Sequence, residues 1–142
     1  MSIPIPDAPS RTSPGGKAAA GALEAEVSGA PAAIWASSLD GRPVSSSGRI
    51  LLTHLTDVQG NGTRYADESR EVLLCWGDGL LVEKGSARVS LRLEHPGKAS
   101  VYALDMSGAR TARLKSTVRG GCLCFEVSTE KGRFHYEIVR DR

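Results

Sequence analysis

Hydrolysis of a glycosidic bond takes two carboxyl groups across a groove, one to protonate the leaving oxygen and one to attack or to activate water. Asp57, Asp67 and Glu68 lie near one loop of this chain, and Asp78 lies further on. They stand among Gly60, Asn61, Gly62, Gly77 and Gly79, where Asp serves a turn backbone as readily as a reaction. Nothing in the pattern supplies a groove, and no catalytic residue is assigned. His54, Asp57 and Asp67 offer a nitrogen and carboxylate oxygens to a hard cation. Calcium takes a dense shell of oxygens and imidazole suits it poorly, so no metal site is expected. The cysteines, Cys75, Cys122 and Cys124, are odd in number and cannot close into a disulfide framework. Cys122 and Cys124 would share one face of a strand, but no second Cys or His pair stands at zinc spacing. Reduced, largely buried thiols are expected. Ser45-Ser46-Ser47 has no Gly-x-Ser-x-Gly frame, and neither Gly60-Asn61-Gly62 nor Gly77-Asp78-Gly79 opens a helix that would cradle phosphate. No cofactor is expected.

Recognition of a sugar needs flat side chains for the apolar face of the ring and polar groups for its hydroxyls. Aromatic residues make up only 5% of the chain, so few positions qualify. Trp35 lies between Ile34 and Ala36, which puts it on the opposite side of a strand from them. Tyr65 follows the Asn61-Gly62 turn. Arg49 and Asp57 are the nearest polar candidates. Trp35, Tyr65, Arg49 and Asp57 are therefore the candidate carbohydrate-binding residues. Trp76 ends the apolar run Val72-Leu73-Leu74-Cys75-Trp76 and is expected in the core.

Strands must position these residues. Leu23 to Val27 and Ala87 to Leu93 alternate apolar and polar, the period of a half-buried strand. Ala32 to Leu39, Ala99 to Leu104, Thr111 to Val118, Cys122 to Val127 and Phe134 to Val139 are further strand candidates, as are Val72 to Trp76 and Leu80 to Glu83. Arg49 to Thr56 reads as a central strand buried on both faces, with Asp57 to Gly62 as the loop after it. Asp40-Gly41 marks a hairpin, and Gly77-Asp78-Gly79 a strand end. No window of helical length carries an apolar stripe. Regular short strands separated by Gly, Pro, Asn and Asp predict an all-β, antiparallel β-sandwich, immunoglobulin-like or jelly-roll-like, with little helix. Residues 1–20, rich in Pro and then Gly and Ala, are expected to be a linker or frayed edge, with the domain over 21–142.

With 142 residues the chain fits one domain, and 40% hydrophobic residues suffice for a core. Eighteen Lys and Arg against 16 Asp and Glu leave a net charge of +2, with both signs interspersed. That balance argues against nucleic acid or a membrane surface as partner. No stretch reaches the length of a membrane span. Met1 to Pro14 lacks the apolar centre of a signal peptide, so the export signal of a secreted parent is expected outside this chain.

The phrases Ala30-Pro31-Ala32-Ala33-Ile34-Trp35-Ala36-Ser37-Ser38-Leu39-Asp40-Gly41-Arg42-Pro43, Arg49-Ile50-Leu51-Leu52-Thr53-His54-Leu55-Thr56-Asp57-Val58-Gln59 and Val101-Tyr102-Ala103-Leu104-Asp105-Met106-Ser107-Gly108-Ala109-Arg110 are similar to the C-terminal β-sandwich region of large multidomain bacterial glycoside hydrolases. The closing Phe134-His135-Tyr136-Glu137-Ile138-Val139-Arg140 fits the last strand of that region. The catalytic carboxylates of such enzymes belong to a (β/α)-barrel that this chain is too short to contain. The resemblance therefore implies a non-catalytic accessory domain that packs on the catalytic domain of a parent enzyme. A carbohydrate-binding module, with polysaccharide as partner, is the alternative.

Overall fold

Leu23, Ala25 and Val27 are buried while Glu24, Glu26 and Ser28 face water, and Ala87, Val89 and Leu91 repeat the pattern on the strand alongside. Alternation of this kind specifies a strand with one wet and one dry face, and it also pins the register, because a slip of one residue would turn every apolar side chain outward. The computed structural model describes residues 10–12 and 15–141. In chain order the strands are β1 (Ser10–Thr12), β2 (Lys17–Ala20), β3 (Leu23–Ser28), β4 (Ala32–Ser38), β5 (Arg49–Leu55), β6 (Val58–Asn61), β7 (Arg64–Tyr65), β8 (Leu73–Cys75), β9 (Asp78–Val82), β10 (Ser86–Arg92), β11 (Ala99–Leu104), β12 (Arg110–Leu114), β13 (Ser116–Arg119), β14 (Cys122–Ser128) and β15 (His135–Arg140). Helix among the described residues is confined to three short 3-10 turns.

Two sheets form a sandwich, one of six strands ordered β1-β4-β5-β15-β11-β12 and one of five ordered β13-β14-β10-β3-β2, and every pairing is antiparallel. The all-β antiparallel sandwich expected from strand spacing is the observed fold. Between the sheets lie Ile34, Ile50, Leu52, Val101 and Ile138 from the first and Val27, Val89, Leu91, Leu123 and Val127 from the second. Each such side chain taken from water contributes about 1.5–3 kcal/mol. Tyr136 joins this core with its hydroxyl satisfied, donating to the Ser128 carbonyl at 2.6 Å and accepting from the Ser128 amide at 3.0 Å.

On each flank the chain changes sheets within a few residues, from β1 to β2 on one side and from β12 to β13 on the other. Such corners close the sides of a sandwich. They correct two expectations. Thr111 to Val118 is not one strand, since it divides at Lys115 between the two sheets. Residues 1–20 are not all linker, since 10–12 and 17–20 pair with β4 and β3; residues 1–9 lie outside the described residues. The alternation of Lys17–Ala20 is too short and too rich in alanine to be recognised alone.

Residues 57–83 leave the sandwich. Strand β6 pairs with β9 and β7 with β8, so the segment between β5 and β10 folds on itself as a two-stranded arm. Asp57 to Gly62, expected as a loop, is its first strand, and Gly77-Asp78-Gly79 opens β9 instead of ending a strand. Gly60 and Gly77 meet backbone to backbone at the bulge between the two halves. A Cβ on Gly60 would strike the Gly77 carbonyl, and one on Gly77 would strike the Asn61 carbonyl, so neither position admits a side chain.

Candidate functional site

The arm is the most unusual surface of the molecule. Its apolar residues are turned to water: Leu74 is 64% exposed, Trp76 57% and Leu80 72%, with Val72, Leu73 and Leu81 comparable. Trp76, expected in the core, is thus on the surface. The run that contains it never enters the sandwich, because both β8 and its following strand pair within the arm. Cys75 is exposed beside it, and Cys122 and Cys124 are half-buried on the outer side of β14; all three thiols are free, but the expectation of burial is corrected. Cys122 and Cys124 lie on the side of β14 that faces away from the core, and Cys75 ends β8, which is exposed along its whole length.

The root of the arm is held firmly. The Glu83 amide donates to the Asp57 carbonyl at 2.8 Å, and the Glu83 carbonyl accepts from the Thr56 hydroxyl at 2.6 Å and from the Thr129 hydroxyl at 2.8 Å. Thr129 is buried and also receives the Gly85 amide at 3.0 Å. Further out, the Thr63 hydroxyl donates to the Gly60 carbonyl and accepts from the Gly77 amide, at 2.7 and 3.0 Å. Arg70 reaches back to Asp57 at 2.6 Å and lies over the Tyr65 ring at 5.9 Å. Its guanidinium and Gln59 hold the Asp57 carboxyl below its ordinary pKa. Asp67 is likewise lowered, by the Ser69 hydroxyl and amide of its own turn.

A second constellation covers the outer face of the six-stranded sheet. Glu137 points away from the core yet is only 5% exposed. Arg49 and Arg110 cover it, each donating from Nε to a different carboxylate oxygen at 2.8 Å. Arg110 also lies over the Tyr102 ring, 4.1 Å from its centroid. The Arg110 hydrogen bond outweighs the effect of burial, and with Arg49 it keeps the Glu137 carboxyl below its ordinary range. The register brings Glu137 opposite Leu51 and Tyr102.

The four sugar-binding candidates divide between these surfaces. Trp35 is half-buried on the outer face of the six-stranded sheet, opposite Thr53, and Arg49 lies four residues further along β5. That separation is about 13 Å along the strand, so the two do not converge on one ring. Tyr65 and Asp57 belong to the arm, where Arg70 touches both. Tyr65 is half-buried, as is Tyr102. Glu137 and Arg110 were not singled out by sequence reasoning, since their meeting depends on β15 lying between β5 and β11.

The outer face of the five-stranded sheet is an open trough of about 700 Å³. Across it the register sets Lys17, Glu26, Arg88 and Glu126 in one row of alternating charge. No aromatic side chain stands in that row, and its floor includes Ala19, Ser90 and Thr117.

His54, weighed above and set aside as a cation ligand, lies in the interior with no exposure, and neither ring nitrogen has a partner among the described residues. Burial pushes its pKa down to about 4, so the ring is neutral at pH 7. No group of three or more metal-ligating side chains occurs among the described residues. No family model, curated protein or solved structure matches the chain.

Proposed function

We propose that this chain is a non-catalytic accessory domain of a polysaccharide-acting enzyme, and that it packs on the catalytic barrel through the arm at residues 57–83. The observation that carries this reading is the set of apolar side chains that the arm turns to water, Val72, Leu73, Leu74, Trp76, Leu80 and Leu81. A monomer seldom leaves more than a few hundred Å² of apolar surface together in water, and larger patches mark contact sites. A two-stranded ribbon is also marginal by itself, so one built from Leu, Val and Trp is completed by packing on something else. The resemblance of the Ala30–Pro43 and Arg49–Gln59 phrases to the C-terminal region of barrel-bearing glycoside hydrolases names the partner. Three carboxylates are engaged in structure: Asp57 with Arg70, Asp67 with Ser69, Glu137 with two arginines. Mixing the chain with the barrel polypeptide of its parent enzyme should raise the melting temperature of the barrel, and Trp76→Ala should diminish the effect. A barrel indifferent to the chain would refute the reading.

A second reading, glycan binding, draws on Trp35, the tryptophan half-exposed on the flat sheet face with polar neighbours. One stacked ring contributes on the order of 1 kcal/mol. Affinity would be millimolar to high micromolar, roughly −4 to −6 kcal/mol. Titration with plant and algal oligosaccharides, followed by tryptophan fluorescence and lost in Trp35→Ala, would favour it. No response to any oligosaccharide would leave the docking role.

A further inference from the structure

The arm carries more information than that it docks. Neighbouring residues of a strand point to opposite faces. Leu73 and Leu74 are 49% and 64% exposed, and Leu80 and Leu81 are 72% and 55% exposed. The ribbon is therefore apolar on both faces, whereas a ribbon lying on a flat surface needs only one. We infer that the arm enters a cleft in the partner domain, with an apolar wall on each side and a basic rim, and forms the middle layer of three. This rests on the docking reading and specifies the shape and charge of the surface that receives the arm.

Area and charge lead to the same partner. The six exposed apolar side chains present on the order of 700 Å², close to the ~800 Å² that each side of a stable protein interface buries. Divided over two faces, neither half reaches that size alone. Residues 57–83 hold six carboxylates, Asp57, Asp67, Glu68, Glu71, Asp78 and Glu83, against Arg64 and Arg70, a net charge of −4 in a chain whose total is +2. Asp67, Glu68 and Glu71 sit around the turn that joins β7 to β8, at the far end from the root. Basic groups at the depth and rim of the cleft complement them.

A second copy of this chain is a poorer occupant. Large hydrophobics exposed elsewhere among the described residues are Leu39, Leu55, Met106 and Val118, which are dispersed along the chain. Arm against arm would cover one face of each and bring two charges of −4 together. A bilayer fits poorly too. Both outer edges of the ribbon are unpaired among the described residues. Each backbone group left unsatisfied in hydrocarbon costs several kcal/mol. In a protein cleft those edges find strand partners.

The test uses the full chain and the barrel polypeptide of the parent enzyme, with Kd measured by calorimetry for Leu73→Lys, Leu74→Lys, Leu80→Lys and Leu81→Lys. Each substitution should raise Kd at least 30-fold, whichever face it lies on. Melting of the chain alone should be unchanged, which separates lost docking from lost folding. If only one member of each neighbouring pair matters, the arm lies on a flat surface; the cleft is then wrong and docking stands. If no variant matters, or no complex forms, both fail. Sedimentation of the chain alone as a dimer, dispersed by these lysines, would assign the arm to a second copy. Flotation with phosphatidylcholine–phosphatidylglycerol vesicles, lost in the same variants, would assign it to lipid. Either result overturns the cleft.

Discussion

The sandwich and the arm are built from the same residue types and end in opposite physical states. In β10 the apolar residues fall on alternate positions, so one face can be buried completely, and Leu91 is (0% exposed). In the arm, Val72-Leu73-Leu74 and Leu80-Leu81-Val82 are consecutive, so both faces are apolar and no single layer can cover them. Consecutive apolar residues usually denote a strand buried on both sides. Here the chain supplies neither covering layer. The sandwich completes its own burial, and the arm leaves its burial to another surface.

Removing core volume should have the largest effect and should distinguish the two regions most clearly. Leu52→Ala, at a position with no exposure, should cost about 3–4 kcal/mol in denaturant unfolding. Leu80→Ala should cost under about 0.5 kcal/mol in the same assay. Similar losses at both positions would join the arm to the core and remove the contrast.

The next effect is nearly as large and belongs to the sandwich alone. The pKa of His54 is lowered from 6.5 to about 4 when folded. As pH falls, the unfolded chain takes up this proton first, so it holds more protons than the folded chain between those values. Stability should accordingly be full above pH 6.5 and decline as pH falls to 4, by on the order of 3 kcal/mol. His54→Leu should abolish the decline in that window and, by removing two unpartnered nitrogens, should not weaken the protein at pH 7. Denaturant midpoints across the pH range would show it; an unchanged slope in His54→Leu would contradict the assignment.

Glu137 titrates in an adjoining window with its own sign. Its carboxyl is lowered in the folded state, so the stability it contributes is present above its ordinary pKa of 4.5 and is lost as pH falls further. Glu137→Gln should cost about 1–2 kcal/mol at pH 7, less than the loss of a fully enclosed ion pair because Arg49 and Arg110 can turn to water. The same substitution should leave arm docking untouched.

The smallest expected effect concerns the arm's own ion pair. Arg70→Ala releases Asp57 and frees the Tyr65 ring, with a stability change of about 0–1 kcal/mol. Amide exchange should nevertheless quicken along β6 and β9 while the β10 and β14 amides stay protected. Equal quickening in both regions would mean that the arm and the sandwich open as one unit.

The amino-acid sequence by itself determined the class of fold and the strands that alternate cleanly, because alternation with period two is a local property. Leu23 to Val27 and Ala87 to Leu93 show which face turns inward without reference to any neighbour. What it could not show was which apolar run is enclosed. Val72 to Trp76 and Ile50 to Leu52 look equally fit for a core, and only pairing decides: β5 lies between β4 and β15, whereas β8 pairs with β7 in the arm. The meeting of Arg49, Arg110 and Glu137 was invisible for the same reason, since the partners of Glu137 are 88 and 27 residues away. The placement of His54 came from β5 turning its alternate residues toward the core, so that the ring shares the interior face with Ile50 and Leu52. Local pattern sets what a segment can become, while burial is a property of the space around it, and that space is assembled from residues far apart in the chain.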